Sequence, residues 1–242
     1  MLTPFSIVIP AYNEAGRIGA SLRVAIEYLG RVSPESELIV VNDGSTDSTP
    51  QVVREAFSAA GPVKTRLIEH YPNRGKGAAV RAGLLGASQP IGLFSDADLS
   101  TPIDEASKLV EPIHSGEVDI AFGSRALDRS LIGNHQPWRR EQGGRVFNLI
   151  VRTATGLPFW DTQCGFKAFR LDVCRPVIEK AQTDGFGFDV ELLYLAYKAG
   201  LRMREVPVRW NHFDGSKVSF FRDSLRMFRE VIELRSRSSA VK

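Results

Sequence analysis

Short apolar runs alternate with amphipathic segments through the first half of the chain. FSIVI (5–9), ELIVV (37–41), KTRLIEH (64–70), IGLFS (91–95) and VDIAFG (118–123) have the length of strands and are rich in β-branched residues. Between them, 14–30, 47–61, 75–87 and 104–114 have the length and patterning of helices. This alternation predicts right-handed βαβ units and an α/β fold, with a mostly parallel central sheet flanked by helices. Ligands bind such sheets in the crevice at the carboxyl ends of the strands. Every polar motif of this half falls there: PAYNE after the first run, NDGSTD after the second, NRGKG after the third, DAD after the fourth and GSR after the fifth. One shared site explains that pile-up better than loop composition does.

The second half is less regular. Residues 139–155 read as a helix, with Val146, Phe147, Ile150 and Val151 on one side and Arg139, Arg140, Arg145 and Arg152 elsewhere. FWDTQCGFKAFR (159–170) reads as a turn entering a strand. Residues 186–200 read as a helix capped by Asp189 or a neighbour and stopped by Gly200, and 204–210 as a further strand. No linker, repeat or low-complexity block interrupts the chain, so one domain is expected over 1–217. Residues 218–242 form a basic tail in which Phe221, Leu225, Phe228 and Ile232 share a helical face beside Arg222, Arg226 and Arg229. Such a helix packs on its domain or lies in an anionic membrane surface.

Composition excludes several classes. At 242 residues, 43% hydrophobic and 24% charged, the chain can bury a sizeable core and is ordinary for a globular protein. The net charge is +3, and the tail alone holds six basic residues against three acidic ones. That argues against a dedicated nucleic-acid binder. No apolar run approaches the ~18–20 residues that span a bilayer, and MLTPFSIVIP lacks the basic region and cleavage site of a signal peptide; a cytoplasmic protein is expected. Cys164 and Cys174 match neither a zinc pair nor CxxC, and read as buried, reduced thiols.

Asp96 and Asp98 in FSDADLSTP are the sharpest chemical signal. They either end a strand as an acidic turn or hold Mg²⁺ or Mn²⁺, which take carboxylate oxygens and share their other positions with water and phosphates. Asp43, at a strand end, can accept from a base N–H or a ribose hydroxyl, while Ser45, Thr46 and Asp47 read as a turn and helix cap. NRGKGAAVRAG fits neither the Walker nor the GxGxxG pattern, which leaves a glycine-loosened helix N-terminus with Lys76 near anions. Arg125, Arg139 and Arg140 are candidate phosphate clamps. Asp161, Gln163 and Lys167, beside Trp160 and Phe166, line a cleft or cap a turn. Asp189 and Glu191 cap a helix or face the same cleft.

Taken in order, IVIPAYNE, VNDGSTD, NRGKGAAVRAG, DADLSTP and DTQCGFKAF resemble the family 2 glycosyltransferases of GT-A fold, over residues 5 to about 237. The branch they resemble holds dolichyl-phosphate β-glucosyltransferase-like and polyprenol-phosphate mannosyltransferase-like enzymes. The resemblance implies a nucleotide-sugar-binding half at 1–123 and an acceptor half at 124–217. Pro10, Ala11, Tyr12, Glu14 and Asp43 would line the nucleoside site, with Gly75 and Lys76 near it. Asp96, Ala97 and Asp98 would hold the ribose, the metal and the diphosphate. Asp161 would sit by the transferred sugar, and Arg125, Arg139, Arg140, Gln163 and Lys167 by the acceptor. FDVELL, with Asp189, and GSK (215–217) favour the glucosyl branch. Mannosyl-type relatives often place a glutamine where this chain has Ser100, which leaves a metal position for His212 or water.

The implied reaction is inverting. A divalent ion at Asp96 and Asp98 stabilises the departing nucleoside diphosphate while the acceptor attacks from the opposite face. A lipid phosphate, with a second pKa near ~6, is already anionic; a hydroxyl acceptor requires a carboxylate such as Asp161 or Asp189 as base. The expected activity is transfer of glucose from UDP-glucose to a polyprenyl phosphate at the inner membrane face, with the tail on the membrane surface. A hydroxyl acceptor, GDP-mannose as donor, and a non-catalytic nucleotide-sugar sensor are the alternatives.

Overall fold

Runs apolar at every position are expected to be covered on both faces, and four strands are: β1 (Ser6–Ala11), β2 (Glu37–Asp43), β4 (Ile91–Ser95) and β5 (Ile120–Ser124). With β3 (Lys64–His70), β6 (Phe166–Arg170) and β7 (Met203–Pro207) they form one seven-stranded sheet in the order β3-β2-β1-β4-β6-β5-β7. The computed structural model describes residues 2–134, 138–212 and Glu230, with the backbone alone at 138–140. Seven helices are described: α1 (Ile18–Val32), α2 (Thr49–Ser58), α3 (Lys76–Gly86), α4 (Ala106–His114), α5 (Trp138–Thr155), α6 (Leu171–Lys180) and α7 (Phe188–Lys198).

The two-residue period of the strands divides the core. Ile7, Ile9, Leu38 and Val40 pack with Leu22 of α1, Val53 of α2 and Leu109 of α4. The alternate residues Val8, Ile39, Val41 and Phe94 pack with Val80 of α3, Cys174 of α6 and Leu192 of α7. Each fully buried Leu, Ile, Val or Phe side chain contributes roughly 1.5–3 kcal/mol, so these two layers hold the strand ends rigidly. Among the described residues β3 pairs only with β2, and it exposes Lys64, Arg66 and Glu69, charges that suit an edge.

The sheet is mostly parallel as expected, and β6 is its exception, antiparallel to both β4 and β5. This inserted strand places Lys167 opposite Phe94 on one side and Phe122 on the other. Helix α6 was not anticipated; Pro176 lies within it and obscures its periodicity. Helix α7 ends before Gly200 at φ +73° as expected, but its N-cap is Gly187 with no side-chain cap, so Asp189 does not cap it. In α5, Phe147 and Val151 pack on Val190 of α7, whereas Val146 is 57% exposed; the expected apolar side is divided between core and surface. Both cysteines are free and buried, and burial pushes each thiol up to about 12.

Among the described residues no helix is long and apolar enough to cross a membrane. The tail at 218–242 lies outside the described residues except Glu230, whose Oε2 accepts the Gly187 N–H at 3.0 Å.

Candidate active site

The turns after β1 and β2 are tied to each other. Asn13, at φ 53°, accepts the Thr46 N–H at 2.7 Å through its amide oxygen, its own N–H donates to Ser45 Oγ at 2.9 Å, and the Glu14 N–H donates to Thr49 Oγ1 at 2.7 Å. Ser45 and Thr46 therefore bind PAYNE, and neither caps α2. Pro10 and Ala11 end β1 buried, and Tyr12 beyond them is exposed.

Asp43 is buried and fully engaged. Its carboxylate accepts the N–H groups of Arg74 at 3.0 Å and Gly75 at 2.7 Å and pairs with His70 Nδ1 at 3.1 Å, while Asn73 Nδ2 donates to its carbonyl. It orders the 73–75 turn, where a carboxylate open to the crevice was expected. Gly75 has φ +106°, and a Cβ there would overlap the Asp184 carbonyl. That carbonyl accepts the Gly77 N–H at 2.8 Å, so the α3 N-terminus is closed by the 182–184 loop and does not cradle a phosphate with that group. Glu191 holds the same loop through the Gln182 and Thr183 N–H groups.

Asp96 and Asp98 stand at the end of β4, their side chains 32% and 19% exposed. Lys76 Nζ pairs with Asp96 Oδ1 at 2.6 Å and lies over the Phe94 ring at 5.3 Å. Burial works against the Lys76 charge, but Asp96 and then Asp189 outweigh it and raise its pKa. Arg17 bridges Glu14 and Asp98, at 3.3 Å from Asp98, and the Ser100 N–H donates to Asp98 Oδ1 at 3.0 Å. Ala97 is buried between the two aspartates. A Cβ at Gly165 would overlap the Asp96 carboxylate, so the 161–165 turn can approach DAD only through a glycine.

A hard divalent cation fits this pair. Two partly open carboxylates, each oriented by a protein cation, supply oxygen donors and leave the remaining positions to water and phosphate oxygens. His212 is not part of the set. Its N–H donates to the Asn134 carbonyl, its ring stacks on Trp210 at 6.1 Å, and among the described residues no group of three or more His, Cys, Asp or Glu is placed to hold a metal.

The other predicted carboxylates are paired inside. Asp161 receives the Arg125 guanidinium in two bonds of 2.7 and 2.8 Å and also accepts the Arg125 N–H. Burial would raise the Asp161 pKa, but Arg125 outweighs it and holds the carboxyl below its ordinary value; reciprocally, Asp161 holds the guanidinium charged. Glu205 accepts the N–H groups of Trp160 and Asp161, and Asn148 accepts the N–H and the hydroxyl of Thr162, so β7 and α5 set this turn. Gln163 donates its N–H to Asp161 at 3.3 Å. Lys167 has no exposed surface and bonds Asp189 and the Cys164 carbonyl, so it cannot meet an acceptor in this arrangement. Burial pushes the Asp189 carboxyl upward against the pull of Lys167 and Lys76. The side chains of Arg139 and Arg140 lie outside the described residues.

Arg17, His70, Asn73, Asn148 and Glu205 were missed. Only Arg17 carried a local signal, at three residues from Glu14; the others act across the fold. Beside Asp161 opens a cavity of about 770 Å³, walled by Arg125, Arg129, Arg152, Trp160 and Trp210.

Residues 6–177 match the family model described as Glycosyl transferase family 2. A dolichyl-phosphate beta-glucosyltransferase of Drosophila melanogaster is 37% identical over 93% of this chain and 72% of its own length. One of Saccharomyces cerevisiae is 34% identical over 95% and 73%. Among solved structures, glucosyl-3-phosphoglycerate synthase from Mycobacterium tuberculosis with phosphoglyceric acid superimposes with a TM-score of 0.69 at 21% identity, covering 99% of this chain and 81% of that one. Another structure of that synthase, with a TM-score of 0.67, holds Mn²⁺, UDP and glucosyl-3-phosphoglycerate, and covers 99% and 81% at 21% identity. This likeness shows the GT-A fold.

Proposed function

The chain belongs to glycosyl transferase family 2, and on that premise we propose that it transfers glucose from UDP-glucose to a polyprenyl phosphate at a membrane surface, peripherally and from the cytoplasmic side. Relatives from Dictyostelium discoideum, Saccharomyces cerevisiae and Drosophila melanogaster, 33–37% identical to this chain, are named dolichyl-phosphate beta-glucosyltransferases. The observation that carries the choice of acceptor is the state of the two candidate bases. Asp161 is locked to Arg125 and Asp189 to Lys167, both buried, so neither is placed to take a proton from a hydroxyl. A phosphate monoester, largely anionic at neutral pH, needs none.

In this reading PAYNE and the 73–75 turn border the nucleoside, and DAD meets the diphosphate. A divalent ion bound there supplies Lewis-acid stabilisation of the departing diphosphate. Arg17 and Lys76 keep the two carboxylates oriented toward the crevice. The 161–165 turn, which touches Asp96 through Gly165 and Arg125 through Asp161, joins the donor side to the arginine-walled cavity that receives the acceptor.

The test is a panel of nucleotide sugars with Mn²⁺ or Mg²⁺ and farnesyl phosphate, with products identified by mass. Glucosyl-phosphoryl-farnesol from UDP-glucose, lost in Asp98→Ala, is expected. A folded protein that binds UDP yet forms no prenyl-linked sugar with any donor would overturn the proposal, and a mannosyl product would reassign the donor. Sedimentation with anionic vesicles tests the peripheral membrane location.

A further inference from the structure

The surface beside Asp161 combines two properties that seldom coincide. Eight large hydrophobic side chains stand out among the described residues as exposed, and four of them, Leu127, Val146, Leu149 and Trp160, at 44–60% exposure, ring the same cavity of about 770 Å³. Exposed apolar residues scattered singly are ordinary; a cluster around a concavity marks a binding surface. The same cavity carries unneutralised positive charge. Arg125 pairs with Asp161 and Arg129 with Glu141, but Arg145 and Arg152 have no carboxylate partner among the described residues.

Helix geometry explains the combination. Residues 145, 149 and 152 are spaced by four and three and so share one face. Phe147 and Val151 bury the opposite face against Val190 of α7, leaving Arg145, Leu149 and Arg152 toward the cavity. The Arg152 guanidinium carbon lies over the Trp160 ring, 3.8 Å from its centroid, at the head of the turn that carries Asp161.

We propose that this face of α5, with Leu127 and Trp160, is the seat of a prenyl phosphate: Arg145 and Arg152 attract the phosphate, and Val146, Leu149, Leu127 and Trp160 take the first isoprene units. Charge complementarity selects this occupant. A neutral lipid leaves the two arginines without a counter-charge, and a free phosphate leaves the apolar ring in water. The proposal rests on the acceptor class given above and adds the residues that select it. None of Leu127, Arg145, Val146, Leu149 or Arg152 belongs to the donor site.

Calorimetric titration of the full chain without donor tests it, using farnesyl phosphate, dimethylallyl phosphate, inorganic phosphate and UDP as probes. Wild type is expected to bind farnesyl phosphate more tightly than either shorter phosphate. Arg145→Gln/Arg152→Gln should weaken farnesyl phosphate about tenfold or more. Val146→Ser/Leu149→Ser should remove most of the preference for the longer chain. Both should bind UDP as wild type does, which shows that they fold. Equal farnesyl phosphate affinity in wild type and both variants overturns the seat. So does binding only to phosphatidylglycerol vesicles and not to monomeric farnesyl phosphate, which makes the face a general membrane contact. The two proposals fail separately. Transfer to farnesyl phosphate with an unchanged acceptor KM in both variants refutes the seat alone. Arginine-dependent farnesyl phosphate binding without any transfer supports the seat and refutes the activity.

Discussion

Asp161→Asn separates an anchoring carboxylate from a catalytic base. Asp161 is 2% exposed at its side chain, and its partner Arg125 is 28% exposed. Removing one member of a fully buried ion pair costs about 3–5 kcal/mol, mostly from the charge left behind. Two features reduce that here. Arg125 retains access to water, and asparagine keeps one oxygen to accept either the Arg125 guanidinium or its N–H. A loss of about 2–3 kcal/mol is expected, which lowers Tm by about 4–12 °C for a domain of this size. The pH dependence gives a second, independent magnitude. Because the folded-state pKa of Asp161 is depressed, its contribution is fully present above the unfolded value near ~3.9 and is lost as pH falls through the folded value. The stability difference between wild type and variant is therefore constant from neutral pH down to about pH 5 and shrinks below about pH 4. Urea unfolding at several pH values, with transfer kinetics on the same preparations, measures both. A variant as stable as wild type at pH 7 whose kcat has fallen by about 10²–10⁴ would identify a general base and refute the anchoring argument.

Three further outcomes follow from named contacts. Lys167→Met strands Asp189 in the core and should cost about 3–5 kcal/mol, whereas Lys167→Met/Asp189→Leu should recover most of it, because replacing a buried pair by apolar groups is nearly neutral; urea midpoints of the two variants check this. Gly165→Ala forces a Cβ against the Asp96 carboxylate, and Mn²⁺ affinity measured by electron paramagnetic resonance should fall about 10–100-fold while UDP-independent stability changes little. Cys164 and Cys174, buried with thiols near pKa 12, should resist a disulfide exchange reagent at pH 8 and react together only in denaturant.

The strands and the side of the sheet that carries the site were legible because local periodicity records them. Five apolar runs in the first half became strands, and the polar turns after them are gathered at one edge; Asp96, Asp98 and Lys76 do meet there. The expectation for Lys167 failed because a lysine among Phe166, Ala168 and Phe169 leaves no local trace of whether it faces solvent or core. β6 inserted antiparallel between β4 and β5 turns it inward, opposite Phe94 and Phe122. Asp43 was placed correctly at a strand end, yet its partners arrive from 27 to 32 residues downstream.

The alternation that builds the sheet, the crevice at its carboxyl edge and the carboxylate pair standing there are written locally in the chain, since each depends on neighbours within a few residues. Which charges pair with each other is set by long-range packing. Arg17 reaches Asp98 across 81 positions and Arg125 reaches Asp161 across 36, and pairings at that separation depend on strand order and register, which no local pattern encodes. The same cause decides the setting of Arg145 and Arg152 among the chain's arginines. All carry the same charge, but the packing of α5 on α7 leaves these two facing a cavity with no carboxylate partner among the described residues.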